Sequence, residues 1–320
     1  MKRLAALVAA SLISRGAIAL GYPSKPITLV VPLAIGSTAD IVSRTIGAEL
    51  AKRLGQPVIV DNRPGAGGRI AMQQVARAAP DGYTIALISN GTLAINIGLY
   101  SNPGYDPVKD FTPITLIGEV SNIMIVHPSN PARNAQDVIA QAKAKPGELT
   151  FSSGGNGTSH HLSGILFASM AGIDMVHVPY RGAPQGITAV MSKEVTMGFF
   201  NTPTVISQIR DGRLRALAVT SKTRTPYFPA VPTLDESGLK GYEVTAWFGF
   251  GGPAGLPSPI LNRLYGEIAK IMKDPAVREK LNNLGFELLP QIPPAEFARL
   301  IQTELAKWVP IVKASGAKVD

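Results

Sequence analysis

From Tyr22 onward the sequence alternates short apolar runs of strand length with longer segments of helical period, and few folds accept that grammar. Residues 27–31 (ITLVV) read as a strand. Residues 39–54 put Ile41, Val42, Ile46, Leu50 and Leu54 on one helical face, and Gly55 offers a left-handed stop. Strand 58–60, helix 70–79 ended by Pro80-Asp81-Gly82, and strand 84–88 (TIALI) follow. Strands and helices alternating at this length imply parallel β-α-β units with right-handed crossovers.

A second set of the same grammar starts after the apolar stretch 123–126. It contains helices 134–145, 158–172 and 183–191 and strands 149–151, 175–178, 195–199 and 214–220. The C-terminal part returns to helices, 260–273, 275–284 and 295–314, the last interrupted by Pro310, with no sheet of its own. The expected fold class is therefore α/β, with two domains that are each a mostly parallel sheet flanked by helices. The chain leaves the first domain (20–122 and 223–320) for the second (123–222) and comes back. Two crossing strands, near 121–126 and 218–225, make a hinge.

Composition bears on location and partners. A chain of 320 residues, 45% hydrophobic and 17% charged, can bury two ordinary cores. Residues 1–19 read as a cleaved secretory signal peptide: a basic start (Met1-Lys2-Arg3), an apolar run of ten, and Ala17-Ile18-Ala19. That run is about half of the ~20 residues that span a bilayer, and Arg15 closes it. With no cysteine there can be no disulfide, thiol catalysis or cysteine-bound lipid. A periplasmic protein is expected, and a monomer. Loss of residues 1–19 removes Lys2, Arg3 and Arg15 and no acid, so the formal charge falls from +9 to +6. Such a surface suits anionic small molecules. Nucleic acid is not an expected partner, because the basic residues are scattered and not interleaved with aromatics.

Four loops that follow strands carry small polar residues: 32–40, 62–70 (NRPGAGGRI), 89–96 (SNGTLAIN) and 152–161 (SSGGNGTSHH). Ligands of open α/β sheets sit at such strand ends, where helix N-termini offer unpaired amides. No phosphate-loop motif is present, and the third position of a dinucleotide fingerprint after Gly65-Ala66-Gly67 is Ile70. No nucleophile elbow exists, so no catalytic residue is named. His160 and His161 are adjacent, which is the wrong spacing for a metal pair on a helix, and His177 on an apolar strand reads as a core histidine. No metal and no cofactor are expected. What remains is a donor-rich cleft suited to a carboxylate, with Ser37, Thr38, Ser89, Asn90, Thr92, Ser152, Ser153, Asn156, Thr158 and Asn201 as donors. At Thr38 and Thr158, helix capping explains the hydroxyl equally well.

The ordered pieces YPSKPITLVVP, VPLAIGSTADIVSR, VIVDNRPGAGG, DGYTIALISNGTLAIN, GGNGTSHHLSG, VPYRGAPQGITAVM, LRALAVTS, VPTLDESGLKGYE and WFGFGGPAGLP resemble the Bug extracytoplasmic solute receptors. These are the substrate-binding components of tripartite tricarboxylate transporters. The resemblance runs from Tyr22 to the C-terminus. It implies a type II-like periplasmic-binding-protein fold that closes on a small carboxylate and delivers it to membrane subunits of such a transporter. It also implies ligand contacts at Leu33 and Ala34, at Ser89 and Asn90, at Ser153, Gly155 and Thr158, and at the Phe200-Asn201 turn, to which the donor Thr92 is added as a candidate contact. Four positions depart from the family pattern. Ile35-Gly36-Ser37 replaces Pro-Gly-Gly, Arg69 stands for asparagine, Phe200 for an acid, and His160 for a small residue. Without the acid an amino-acid ligand is disfavoured. Phe200 stacking on a ring and His160 donating to a second carboxylate point to a dicarboxylate or an aromatic carboxylate. Rival readings are a secreted α/β hydrolase and a sensor subunit presenting its ligand to a membrane kinase.

Overall fold

The computed structural model describes residues 21–314, 317 and 319; the expected signal peptide lies outside the described residues. The strands are β1 (Ile27–Val31), β2 (Val58–Asn62), β3 (Thr84–Ser89), β4 (Phe111–Val126), β5 (Thr150–Ser153), β6 (Val176–Pro179), β7 (Met197–Asn201), β8 (Arg215–Val219), β9 (Thr245–Pro253) and β10 (Glu287–Leu288). They follow one path, β2-β1-β3-β9-β4-β7-β5-β6, with β8 and β10 also paired to β4. The parallel units expected from the alternation are the two outer thirds, β2-β1-β3 and β7-β5-β6. The centre is antiparallel: β9 pairs with β3 and β4, and β4 pairs with β7 and β8.

The sequence pattern led to too little strand at that centre, for two physical reasons. In β4, Pro113, Gly118 and Glu119 break the apolar run, and the register against β9 shifts at two places to absorb them. In β9 the glycines of TAWFGFGGP look like a loop. They sit where another element presses on the strand: a Cβ at Gly249 would lie 2.4 Å from the Phe297 ring, and one at Gly252 2.8 Å from Leu256.

The helices are α1 (Thr38–Leu54), α2 (Arg69–Ala76), α3 (Asn96–Leu99), α4 (Ala135–Ala144), α5 (Ser159–Ala171), α6 (Ala183–Met191), α7 (Thr202–Arg210), α8 (Ser258–Lys273), α9 (Pro275–Asn283) and α10 (Pro294–Ala314). In α1, Ser37 caps the start by accepting from the Asp40 amide, and Gly55 ends it at φ 70°. Ile46 and Leu50 of α1 pack with Leu264 and Ile268 of α8 beneath Leu29 and Phe250. A second core gathers Met124, Phe151, Phe167 and Phe199 with Trp308 and Val312 of α10. Helix α10 is not interrupted by Pro310 as expected: it runs through it, held on both sides by buried Trp308 and Val312. Helix α7 lay unrecognised between two strands.

Glu304 ties α10 to the central strands. Its Oε2 accepts from the indole N–H groups of Trp247 and Trp308, each at 2.9 Å, and these are both tryptophans of the chain. Glu304→Ala leaves two buried donors unmet, at ~1–3 kcal/mol each. The expected outcome is a loss of about 2 kcal/mol or more in urea unfolding, read by tryptophan fluorescence.

Candidate functional site

The strand-end loops of the two parallel units face one another. Pro32–Ser37 follows β1, the 63–68 loop follows β2, and a π-turn, Gly91–Ile95, follows β3. Opposite them stand Gly154–Thr158 after β5 and Asn201 at the end of β7. Between them lies a narrow, half-open space of about 20 Å³, room for one or two small atoms of a ligand head. Of the expected contacts, Leu33, Ser89, Asn90, Thr92, Thr158, His160 and Asn201 line it. Gly67, Gly91, Gly157, Ser159, Ala246 and Phe248 line it too and were missed. Ala246 and Phe248 escaped because β9 did.

The other expected contacts lie elsewhere. Ala34 meets the opposite lip, where a Cβ on Gly182 would lie 2.5 Å from its own Cβ. Gly155 lines an outer groove. Ser153 is fully buried, its Oγ 2.7 Å from His177 Nε2 and accepting from the Gly155 amide. Phe200 is also fully buried, its ring filling the space left by Gly186 and Gly198. It belongs to the wall, so stacking on a ligand ring is not its role here. The ring that reaches the space is Phe248.

Most polar groups of the loops are already engaged. The Ser89 amide donates to Thr92 Oγ1 at 3.1 Å, the Gly91 amide to Asn90 Oδ1 at 2.9 Å, and Asn90 Nδ2 to the Thr245 carbonyl at 2.7 Å. Tyr105 hydroxyl donates to the Thr92 carbonyl. Thr158 caps α5 by accepting from the His161 amide, and Ser37, not Thr38, caps α1. In the first loop, the Gly36 amide is taken by Asp40 Oδ2 at 3.0 Å, and Asn62 Nδ2 holds the Leu33 carbonyl at 3.0 Å. Among the described residues, the amides of Leu33 and Ala34 make no hydrogen bond.

His160 is spoken for on both nitrogens. The Gly154 amide donates to Nδ1 at 3.2 Å, so the proton of the neutral ring sits on Nε2 and is donated to Asn201 Oδ1 at 3.1 Å. Asn201 Nδ2 donates on to Asn122 Oδ1 at 2.6 Å, and Asn122 Nδ2 to Ser163 Oγ at 2.9 Å. Burial lowers the His160 pKa to about 4, against the smaller raising effect of Asn201. Instead of donating to a second carboxylate, His160 positions Asn201. His161 and His177 stack at 4.2 Å, and burial holds them neutral as well, at about 3 and about 4. Among the described residues no carboxylate bonds to His177, so nothing orients its ring toward Ser153 as a base. The pair is a packing contact. Among the described residues no group of three metal-ligating side chains occurs.

Glycines govern how closely the lips approach. A Cβ on Gly67 would lie 2.2 Å from the Asn156 carbonyl oxygen across the cleft, and one on Gly157 2.0 Å from Asn96 Oδ1. Both have positive φ, 62° and 79°. The lips meet backbone to backbone.

The architecture is shared with solved periplasmic binding proteins. The protein described as "R. palustris Rpa4515 with adipate" is 35% identical and superimposes with a TM-score of 0.89, covering 93% of this chain and all of that one. MatC (Rpa3494) from Rhodopseudomonas palustris with bound malate is 32% identical at a TM-score of 0.87, over 91% of this chain and 100% of its own. BugT of Bordetella pertussis is 34% identical over 300 residues, 93% of this chain and 91% of BugT. The model of the tripartite tricarboxylate transporter family receptor, TctC, matches residues 42–317. The chain belongs to that family of solute-binding receptors, whose members include the Bug proteins, and it is not an enzyme.

Proposed function

We propose that this receptor works in the periplasm, after loss of residues 1–19, and binds a small dicarboxylate between its lips. One observation carries the reading: the space is lined by hydroxyls, amides and neutral His160, the Leu33 amide is unpaired in its wall, and among the described residues no acid lines it. An ionised carboxylate accepts and cannot donate, so it matches a wall of donors. An ammonium group would find no counter-charge there. With Phe200 packed against Gly186 and Gly198, the ring expected to stack on an aromatic acid is not available, and Phe248 is the ring that lines the space. The relatives with adipate and malate support the same ligand class.

The receptor acts as a monomer and hands its ligand to the membrane subunits of a tripartite tricarboxylate-type transporter. Residues 20–122 with 223–320 move against 123–222, and β4 with the 218–225 segment is the hinge. Opening separates Gly67 from Asn156 and admits ligand; closure is stabilised by the ligand's differential contacts.

Thermal unfolding of the mature chain with succinate, malate, adipate, benzoate, aspartate or glutamate tests the reading. A dicarboxylate at a hundred times its dissociation constant should stabilise by ~2.7 kcal/mol; stabilisation by aspartate or glutamate alone, or consumption of any compound, defeats it. Gly67→Ala puts a Cβ against the Asn156 carbonyl and should weaken the best dicarboxylate about tenfold or more by calorimetry, with the fold intact by circular dichroism. Stability without ligand should also depend on pH with a definite sign. His160, His161 and His177 stay neutral in the folded state, so their contribution is complete above about pH 6.5 and is lost as pH falls toward about 4, where the unfolded chain binds protons that the folded chain does not. Melting temperatures of His160→Gln should fall less steeply over that window than those of the parent.

A further inference from the structure

Outside the narrow space runs a groove of about 540 Å³, between the Gly65–Gly68 turn and the opposite lip at Gly155 and Arg181. The two spaces share Leu33 and Gly67 in their walls. The inner one has room for only part of a carboxylate head, so the remainder of any ligand must lie in a neighbouring space, and the groove adjoins it. Two arginines, Arg69 and Arg181, line the groove, and among the described residues no acid does.

Two polar atoms of this wall are buried without a hydrogen-bond partner: Arg69 Nε and the Tyr100 hydroxyl. Tyr100 is only 6% exposed. The Arg69 guanidinium lies 4.6 Å from the centre of the Tyr100 ring, and its Nη1 donates to the Asn102 carbonyl at 2.9 Å. The guanidinium is thus held in place on one edge while the edge bearing Nε offers a donor that nothing meets. Unmet donors are costly, and a guanidinium fixed over a tyrosine ring whose own hydroxyl is also unmet suits a planar group that only accepts.

We propose that Arg69 and Tyr100 form a second anion subsite, which takes the distal carboxylate of an elongated dicarboxylate whose other carboxylate enters the inner space. The assignment rests on the carboxylate-receptor reading above and adds to it a preference for length and for two charges.

Calorimetric titration of the mature chain with adipate and with hexanoate tests it, the two probes differing by one carboxylate. In the parent protein adipate should bind about tenfold or more tighter than hexanoate. Arg69→Gln should bring that ratio close to one, Tyr100→Phe should lower it severalfold, and Arg69→Lys should restore part of it. Tyr100→Phe keeps the packing and reads the same ratio should the arginine variants unfold. A ratio unchanged in folded Arg69→Gln and Tyr100→Phe overturns the subsite and leaves the receptor reading standing. Absence of binding by the parent to hexanoate and to every dicarboxylate from succinate to suberate overturns both.

Discussion

The backbone of Asn122 is where the two halves of this molecule are fastened together. At Ser121 strand β4 is still paired with β9; one residue later it is paired with β7. There the Asn122 amide donates to Thr220 Oγ1 at 2.9 Å, the Thr220 amide returns a bond to the Asn122 carbonyl, and the Val244 amide donates to the Thr220 carbonyl. Outgoing strand, returning strand and the entry to β9 thus meet at one level. The side chain of the same asparagine accepts from Asn201, which accepts from His160. The residue at which β4 changes partners is thus also wired to the wall of the cleft. A fully buried polar chain of this kind holds one geometry, since each member left unpaired is expensive.

The cleft divides its electrostatics by depth. Inside, the residues that line the narrow space are neutral, including His160, which burial keeps from taking a proton. Outside, the groove carries two arginines. A neutral, donor-rich interior accepts a carboxylate through hydrogen bonds without burying a full counter-charge, whose desolvation would offset much of the attraction. The cationic rim then acts where water still screens it, favouring approach of anions.

Much of this was legible in the chain. Strands 27–31 and 84–88, helices 39–54 and 183–191, and the four loops at strand ends follow from periodicity and turn residues. What was not legible has specific causes. Strand β9 reads as a loop because its glycines answer to Phe297 and Leu256, which are remote in sequence. Phe200 sits beside Asn201, which lines the narrow space, yet its own ring packs against Gly186 and Gly198, because neighbours on a strand face opposite sides. His160 looks like a free donor until Gly154 and Asn201 are seen to occupy both its nitrogens.

The sequence by itself determined the α/β class, the order of its units, the absence of thiol chemistry and the family, since these depend on local period, composition and ordered motifs. Tertiary structure decided which polar groups remain free. That Leu33 and Ala34 keep unpaired amides, and Arg69 and Tyr100 unpaired donors, while Ser89, Thr158 and His160 are satisfied within the chain, is set by partners brought together through the sheet. Free donors are what a ligand can use, and whether a donor is free depends on contacts between segments far apart in the chain.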